Sequence, residues 1–268
     1  MIFEVKNGYY GYEKGKNLFQ DINLKVNEGE VLTILGANGV GKTTLLKCMM
    51  GLFKWNKGET LIDNVNIKDI PYQEIWKKIG YVPQAKNSAF SYTAEEMILL
   101  GRSAHLGLFK QPKKEDLKIA EEAMDIVGIS YLKNKYCNQM SGGELQMVLI
   151  ARALASKPKM LVMDEPESNL DFKNQLIILE TIEKLSKEYK ISCIINTHYP
   201  EHALRVGNKA LILCRNYNKF YGDAEEIINS ENMRKAFGVE VAIENIQIER
   251  KNFTYVFPIK FVTNEQCI

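Results

Sequence analysis

Gly36-Ala37-Asn38-Gly39-Val40-Gly41-Lys42-Thr43 lies between an apolar, β-branched run, Val31-Leu32-Thr33-Ile34-Leu35, and a run that starts a helix, Thr44-Leu45-Leu46-Lys47-Cys48-Met49-Met50. The octapeptide satisfies G-x-x-x-x-G-K-[ST], and strand, glycine loop and helix in that order are the context in which the pattern binds phosphate. Its glycines let the backbone turn tightly enough for successive N–H groups to face phosphate oxygens, while the helix that follows adds its positive end. Gly36, Asn38, Gly39, Gly41 and Thr44 are the candidate cradle. Lys42 brings a mobile cation to the β- and γ-phosphates, and the Thr43 hydroxyl is placed for Mg2+.

At 268 residues the chain can bury one large α/β core, or a core with a small second lobe. Charged residues make up 25% of it and the net charge is +2, so the balance calls for no nucleic acid. No apolar run reaches the roughly 18 residues that span a membrane. The start, Met1-Ile2-Phe3-Glu4-Val5-Lys6, is acidic where a secretory signal is basic, which predicts a cytoplasmic product. Cys48, Cys137, Cys193, Cys214 and Cys267 are odd in number, scattered, and read as structural. The three histidines, His105, His198 and His202, are too dispersed for a histidine-built metal site.

Outward from the loop, Ile2–Lys6, Leu18-Phe19 and Ile22–Val26 alternate as strands of an antiparallel opening sheet, with turns at Asn7-Gly8 and Glu28-Gly29. Gly58–Ile62 and Tyr81-Val82-Pro83 read as short strands, and Tyr72–Lys78 as a helix. Helices follow from Thr93, where Glu96 completes a capping box, through a loop at His105–Pro112 to Lys113–Val127. Then Gly142–Ser156, Met160–Met163, Phe172–Tyr189, Ile191–Ile195 and Ala210–Cys214 alternate helix with buried strand, which implies a mostly parallel sheet covered on both faces. The expected fold class is therefore α/β, a P-loop nucleotide hydrolase with an antiparallel N-terminal β subdomain and a helical subdomain. Its parts run over 1–90, 91–140 (helical), 141–238 (the rest of the core) and 239–268, a strand-rich tail.

Met160–Met163 leads into Asp164-Glu165, two carboxylates at the C-terminal end of a buried strand, the end that faces a ligand crevice in a parallel sheet. Asp164 can hold Mg2+ directly or through water, and Glu165 can take a proton from an attacking water or orient it. Ser141-Gly142-Gly143-Glu144 is a capping box whose glycines also suit a helix N-terminus that binds phosphate, here the phosphate of another molecule's nucleotide. Gln84 follows a strand end, where its amide oxygen could ligate the metal, hold the water, or serve as an ordinary polar loop residue. His198 follows Ile194-Ile195-Asn196-Thr197 and could donate to a γ-phosphate or be a satisfied loop histidine. Tyr12 could stack on adenine, as could Tyr9 or Tyr10.

With these residues in order along nearly the whole chain, the sequence resembles the nucleotide-binding subunit of an ATP-binding-cassette transporter. The resemblance matches Gly36–Thr43 to the phosphate loop, Gln84 to the glutamine loop and Ser141–Glu144 to the family signature. Asp164-Glu165 matches the acidic pair, Ser168–Asp171 the segment that crosses to the partner, His198 the switch histidine and Tyr12 the adenine-stacking aromatic. It implies ATP and Mg2+ as cofactors, with Thr43, Gln84 and Asp164 toward the metal. It also implies a catalytic set of Glu165, His198, Gln84 and Lys42, and a head-to-tail dimer in which Ser141, Gly142 and Gly143 of one copy cover the ATP of the other. The partners implied are a second copy, an integral membrane permease on whose cytoplasmic face the subunit sits peripherally, and indirectly a substrate-binding protein, with no nucleic acid. Met140, Ala37, Val40, Glu167 and Asn169 depart from the usual pattern without removing a phosphate, metal or water contact.

Ser91–Arg102 with His105–Phe109, and Thr197–Ala203, resemble the branch serving iron-chelate, haem and cobalamin importers, which also includes molybdate and tungstate importers. A metal chelate is the expected cargo and molybdate or tungstate the alternative. A soluble cassette ATPase of DNA repair or translation would need a long coiled-coil insertion or two fused cassettes, and the chain has neither. A regulatory module with little turnover would lack Glu165, Gln84, Asp164 or His198, and all are present.

Overall fold

The apolar run ahead of the glycine loop forms a strand buried along its whole length, the first fixed point of the architecture. The computed structural model describes residues 1–13, 15–85, 91–106, 111–249 and 251–262, with the side chains of 251 and 252 excepted. They divide into two compact units, Met1–Ile67 with Ile194–Ile268, and Lys68–Cys193.

The first unit opens with β1 (Phe3–Tyr10), β2 (Phe19–Val26), β3 (Val31–Gly36), α1 (Lys42–Met49), β4 (Lys57–Ile62) and β5 (Val65–Asn66). Strands in the order β2-β1-β4-β5 make the antiparallel sheet that the alternation predicts, with Phe3 opposite both Val26 and Ile62, but Asn7-Gly8, expected as a turn, lies inside β1, where Asn7 at φ 48° accompanies a register shift between Val5 and Gly8. The β4–β5 turn uses Asp63 and Asn64 at φ 50° and 66°, the left-handed pair that matches the twist of a tight hairpin.

The second unit holds α2 (Tyr72–Lys78), β6 (Ile79–Val82), α3 (Ala94–Leu99), α4 (Lys114–Val127), α5 (Gly142–Leu154), β7 (Met160–Asp164) and α6 (Phe172–Lys187). β6 and β7 pair in parallel, Ile79 with Met160 and Val82 with Met163. Thr93 and Glu96 cap α3 reciprocally, and α3, α4 and α5 pack on one another. Part of the Ser91–Arg102 run has a packing cause. A Cβ at Gly101 would collide with the Arg152 carbonyl, and buried Arg102 donates to Asp116 at 2.9 Å and to the Ala155 carbonyl at 2.9 Å. The Lys113 N–H and then the Arg102 guanidinium hold the Asp116 carboxyl below its usual range. His105 contacts the Ser156 carbonyl, while Gly107, Leu108 and Phe109 of the branch-like run lie outside the described residues.

The chain returns through β8 (Ser192–Asn196), α7 (Pro200–Val206), β9 (Lys209–Leu213), β10 (Lys219–Asp223), α8 (Ala224–Ile227), α9 (Ser230–Phe237), β11 (Val239–Ile248) and β12 (Lys251–Phe261). In the first unit these give the strand order β10-β9-β3-β8, with β9 parallel to β3 from Leu32–Lys209 to Gly36–Leu213 and β10 antiparallel to β9. The tail is a hairpin, and its imperfect alternation has a cause: a register shift between Glu240 and Val241. Val239, Val241, Ile243 and Val256 pack with Leu35, Ile212, Met233 and Ala236, so the hairpin extends the core on which the glycine loop is built. Among the described residues, no helix is long and apolar enough to cross a membrane. Burial pushes the Cys48 and Cys193 thiols up to about 12 and Cys214 to about 11, which removes them as nucleophiles; Cys267 lies outside the described residues.

Candidate functional site

The glycine loop takes the conformation its composition allows and little else would. Gly36, Gly39 and Gly41 sit at φ 151°, 79° and 104°. A Cβ on Gly36 would lie 2.7 Å from the Leu213 carbonyl, and one on Gly41 would lie 2.8 Å from the side chains of Leu18 and Phe19. Gly41 is also the N-cap of α1, and having no side chain it leaves the first N–H groups of that helix uncapped by any residue of its own. That is the backbone arrangement that receives an anion.

Lys42, the first residue of α1, is buried, and its Nζ donates to the Gly36 carbonyl at 2.9 Å and to His198 Nδ1 at 3.1 Å. An ammonium has only donors, so Nδ1 accepts and the imidazole proton lies on Nε2. The loop carrying His198 is pinned by the Thr197 N–H on the Ile34 carbonyl at 3.1 Å, just below the glycine loop on β3. The first unit thus brings two of the sequence-predicted residues into direct contact. Thr43 is exposed at the start of α1.

The tyrosines sort themselves by packing. Tyr12, 67% exposed, hydrogen-bonds through its hydroxyl to Thr44 Oγ1 at 2.7 Å. Tyr10 stacks on Phe53 at 5.7 Å, and both rings meet Tyr12 edge-on. Tyr9 lies beneath the Lys57 ammonium. Tyr12 is therefore the aromatic beside α1, and Phe53, which the sequence reading passed over, helps to hold it.

In the second unit, Asp164 ends β7 as a buried carboxylate. Tyr81 on the neighbouring β6 hydrogen-bonds to it; burial first, then the Asp164 charge, push the Tyr81 hydroxyl up to about 12, so it stays a donor. Glu165 stands at φ 51°, a conformation a side-chain-bearing residue rarely takes, and its turn is closed by the Ser168 N–H on its carbonyl at 3.2 Å. Half-buried Gln84 is bracketed by a residue that the sequence reading missed. Gln146 on α5, only 1% exposed, accepts from the Ala85 N–H at 2.8 Å and donates to the Pro83 carbonyl at 3.3 Å. A glutamine inside the apolar run Leu145–Ile150 was the available signal, since a buried amide requires partners.

Ser141 caps α5 as its spacing predicts: its Oγ accepts from the Glu144 N–H, and Glu144 accepts from the Ser141 N–H at 2.8 Å. Lys135 binds both Glu144 oxygens, at 2.9 and 2.8 Å, and is the first cause of its lowered pKa. The exposed Ser141 hydroxyl, an acceptor within the box, retains its own proton to donate outward. Gly143 explains its smallness: a Cβ there would collide with the Asn174 amide.

The ABC transporter family model matches residues 19–168. A molybdate import ATP-binding protein, MolC of Haemophilus influenzae, is 34% identical over 95% of this chain and 95% of its own. An iron chelatin transport ATP-binding protein of Helicobacter pylori is 37% identical over 80% and 84%. Among solved structures, a metal-chelate type ABC transporter in an inward-facing conformation aligns with a TM-score of 0.86 at 32% identity, covering 96% of this chain and 97% of that one. A bacterial ABC transporter cassette solved as a dimer aligns at 0.68 with 33% identity, covering 80% and 94%.

Proposed function

Because the chain belongs to the ABC transporter family, as the ATP-hydrolysing cassette of an importer, we propose that it powers uptake of a metal chelate, such as a ferric siderophore, haem or cobalamin. It does so from the cytoplasmic face of the membrane, bound to a separate permease that is loaded by a substrate-binding protein. The observation that carries the ATPase reading is Lys42 Nζ held within 3.1 Å of His198 Nδ1 at the mouth of a three-glycine loop.

In this reading the N–H groups from Gly36, Asn38 and Gly39 to Thr44 and the Lys42 ammonium hold the triphosphate, and Tyr12 stacks on adenine. Thr43, Gln84 and Asp164 offer hydroxyl, amide and carboxylate oxygens, the hard donors that suit Mg2+, which when bound offsets charge on the β- and γ-phosphates. Tyr81 orients Asp164 for that task. Glu165 takes the proton of water as that water attacks the γ-phosphorus and the β–γ bridge breaks, while the His198 Nε2–H donates to γ-phosphate oxygen. The Ser141–Gly143 tip of a second copy closes over the nucleotide, so ATP forms part of the dimer interface.

Gln146 enters this chemistry as a positioning residue. Replacing it by Ala removes both bonds that bracket Gln84, and the Mg2+ concentration for half-maximal hydrolysis should rise about fivefold. A lowered Tm with an unchanged Mg2+ dependence would reduce Gln146 to packing.

The cargo is tested by reconstituting the subunit with an importer permease and its substrate-binding protein from the same cell. ATP-dependent uptake of a ferric chelate, with none of molybdate, is the expected outcome. Molybdate uptake would favour the alternative, for which the 34% identity to a molybdate importer over 95% of the chain speaks.

A further inference from the structure

Tyr12 is exposed, yet three contacts fix its ring. Its hydroxyl meets Thr44 Oγ1, in the first turn of α1, at 2.7 Å. Tyr10 from β1 and Phe53 from just past α1 stand nearly at right angles to it, with ring centroids 5.3 and 6.2 Å away. Those two rings stack on each other, and Phe53 is secured from α1, with its N–H on the Lys47 carbonyl at 3.1 Å and the Lys47 ammonium over its ring. The backbone that carries Tyr12 is equally constrained. A Cβ on Gly11 would collide with the Lys16 carbonyl, and the Leu18 N–H closes on the Tyr10 carbonyl at 2.6 Å. All these residues belong to the first unit. The hydroxyl of an exposed tyrosine can be left to water, whereas this one is committed to the helix whose N-terminus opens the phosphate cradle.

We propose that Thr44 is a positioning residue for the base: its hydroxyl ties the Tyr12 ring to the first turn of α1, so that base platform and phosphate cradle act as one site. The inference rests on the reading of Tyr12 as the adenine-stacking aromatic and adds what aims the ring. A side chain that is ordered only when a ligand binds costs affinity, and a ring already held by a hydroxyl and two neighbouring rings has met that cost on folding. The same helix turn directs the N–H groups that receive phosphate and, through Thr44, sets how far from them the ring stands. A nucleotide whose phosphates fit the cradle therefore meets the ring at its base. Tyr10 and Phe53 limit the tilt of the ring, and Thr44 limits its reach. The tether is one neutral hydrogen bond, whose loss weakens ATP binding about fivefold.

A double-mutant cycle measures ATP affinity in the parent, Tyr12→Phe, Thr44→Val and the double variant, with inorganic tripolyphosphate as a probe that has no base. Tyr12→Phe keeps the ring and Thr44→Val keeps the side-chain shape, so each removes the bond and little else. The expected result is ATP binding about fivefold weaker in each single variant and no weaker in the double, because one bond is lost in all three. Tripolyphosphate should bind all four alike, which also shows the cradle to be folded, and Thr44→Ser should restore the affinity for ATP. Losses that multiply to about 25-fold in the double variant, or a serine that fails to rescue, overturn the tether. So does Thr44→Val weakening tripolyphosphate as much as ATP, since the hydroxyl would then serve phosphate. Tyr12→Ala separates the tether from the reading beneath it. Parental ATP affinity in that variant means that the ring does not stack on adenine, and both fall; a loss there beside parental affinity in Tyr12→Phe keeps the stacking and overturns the tether alone.

Discussion

Glu165→Gln is expected to bind ATP as the parent does and to hydrolyse it about 10²- to 10⁴-fold more slowly, the range by which a positioned base accelerates proton transfer. The substitution keeps shape and hydrogen-bonding oxygen and removes basicity. The turn around Glu165 is set by its backbone at φ 51° and by the Ser168 N–H on its carbonyl, and neither depends on the carboxylate, so the fold is expected to survive. The bond from Ser168 Oγ to Glu165 Oε2, at 3.4 Å, can be remade to the amide oxygen. Phosphate release at saturating Mg2+ and ATP, alongside equilibrium nucleotide binding, checks both halves. Parental turnover would transfer the base role elsewhere, whereas lost binding would mean that the turn holds the nucleotide rather than the water.

What could be read in advance divides by the range of the interactions involved. The glycine loop and both capping boxes are local, and their residues carry the reason for their geometry: φ values that favour glycine, and serine or threonine three positions before glutamate. The C-terminal part of the first unit was harder. Periodicity does not declare α7, α8 and α9, because α8 is one turn long and α7 and α9 run only seven and eight residues, and β10 is a five-residue strand with a glycine and no strict alternation. Asn229 as N-cap and Gly238 at φ 66° marked α9 at both ends, signals that outweigh its short apolar face.

Partners distant in sequence were the other illegible part. Nothing near Gln84 announces Gln146, and nothing near Asp164 announces Tyr81; pairing β6 with β7 and packing α5 on the Pro83–Ala85 backbone bring them together. Gly101 and Arg102, taken as marks of a transporter branch, also answer to packing against Arg152 and Asp116. Their value as indicators of cargo is correspondingly smaller, and the uptake assay decides more than they do.

Lys42→Ala should weaken ATP binding about tenfold to a hundredfold, the cost of charged hydrogen bonds to phosphate, and abolish measurable hydrolysis. The ammonium already has two neutral acceptors, the Gly36 carbonyl and His198 Nδ1. A phosphate oxygen carries a full charge and competes well against both, so the side chain can move to nucleotide without leaving the loop. Removing it also deprives His198 of the contact that fixes its Nε2 proton, and His198→Ala separates the two effects. That variant keeps the ammonium and should bind ATP within a few times the parental affinity, since it gives up a single neutral hydrogen bond, while turnover falls steeply. Titration with a fluorescent ATP analogue, read beside phosphate release, distinguishes the pair: Lys42→Ala loses affinity first and His198→Ala loses rate first. Parental affinity in Lys42→Ala would mean that the glycine loop holds its anion by backbone alone, and the assignment of the triphosphate to Lys42 would fall.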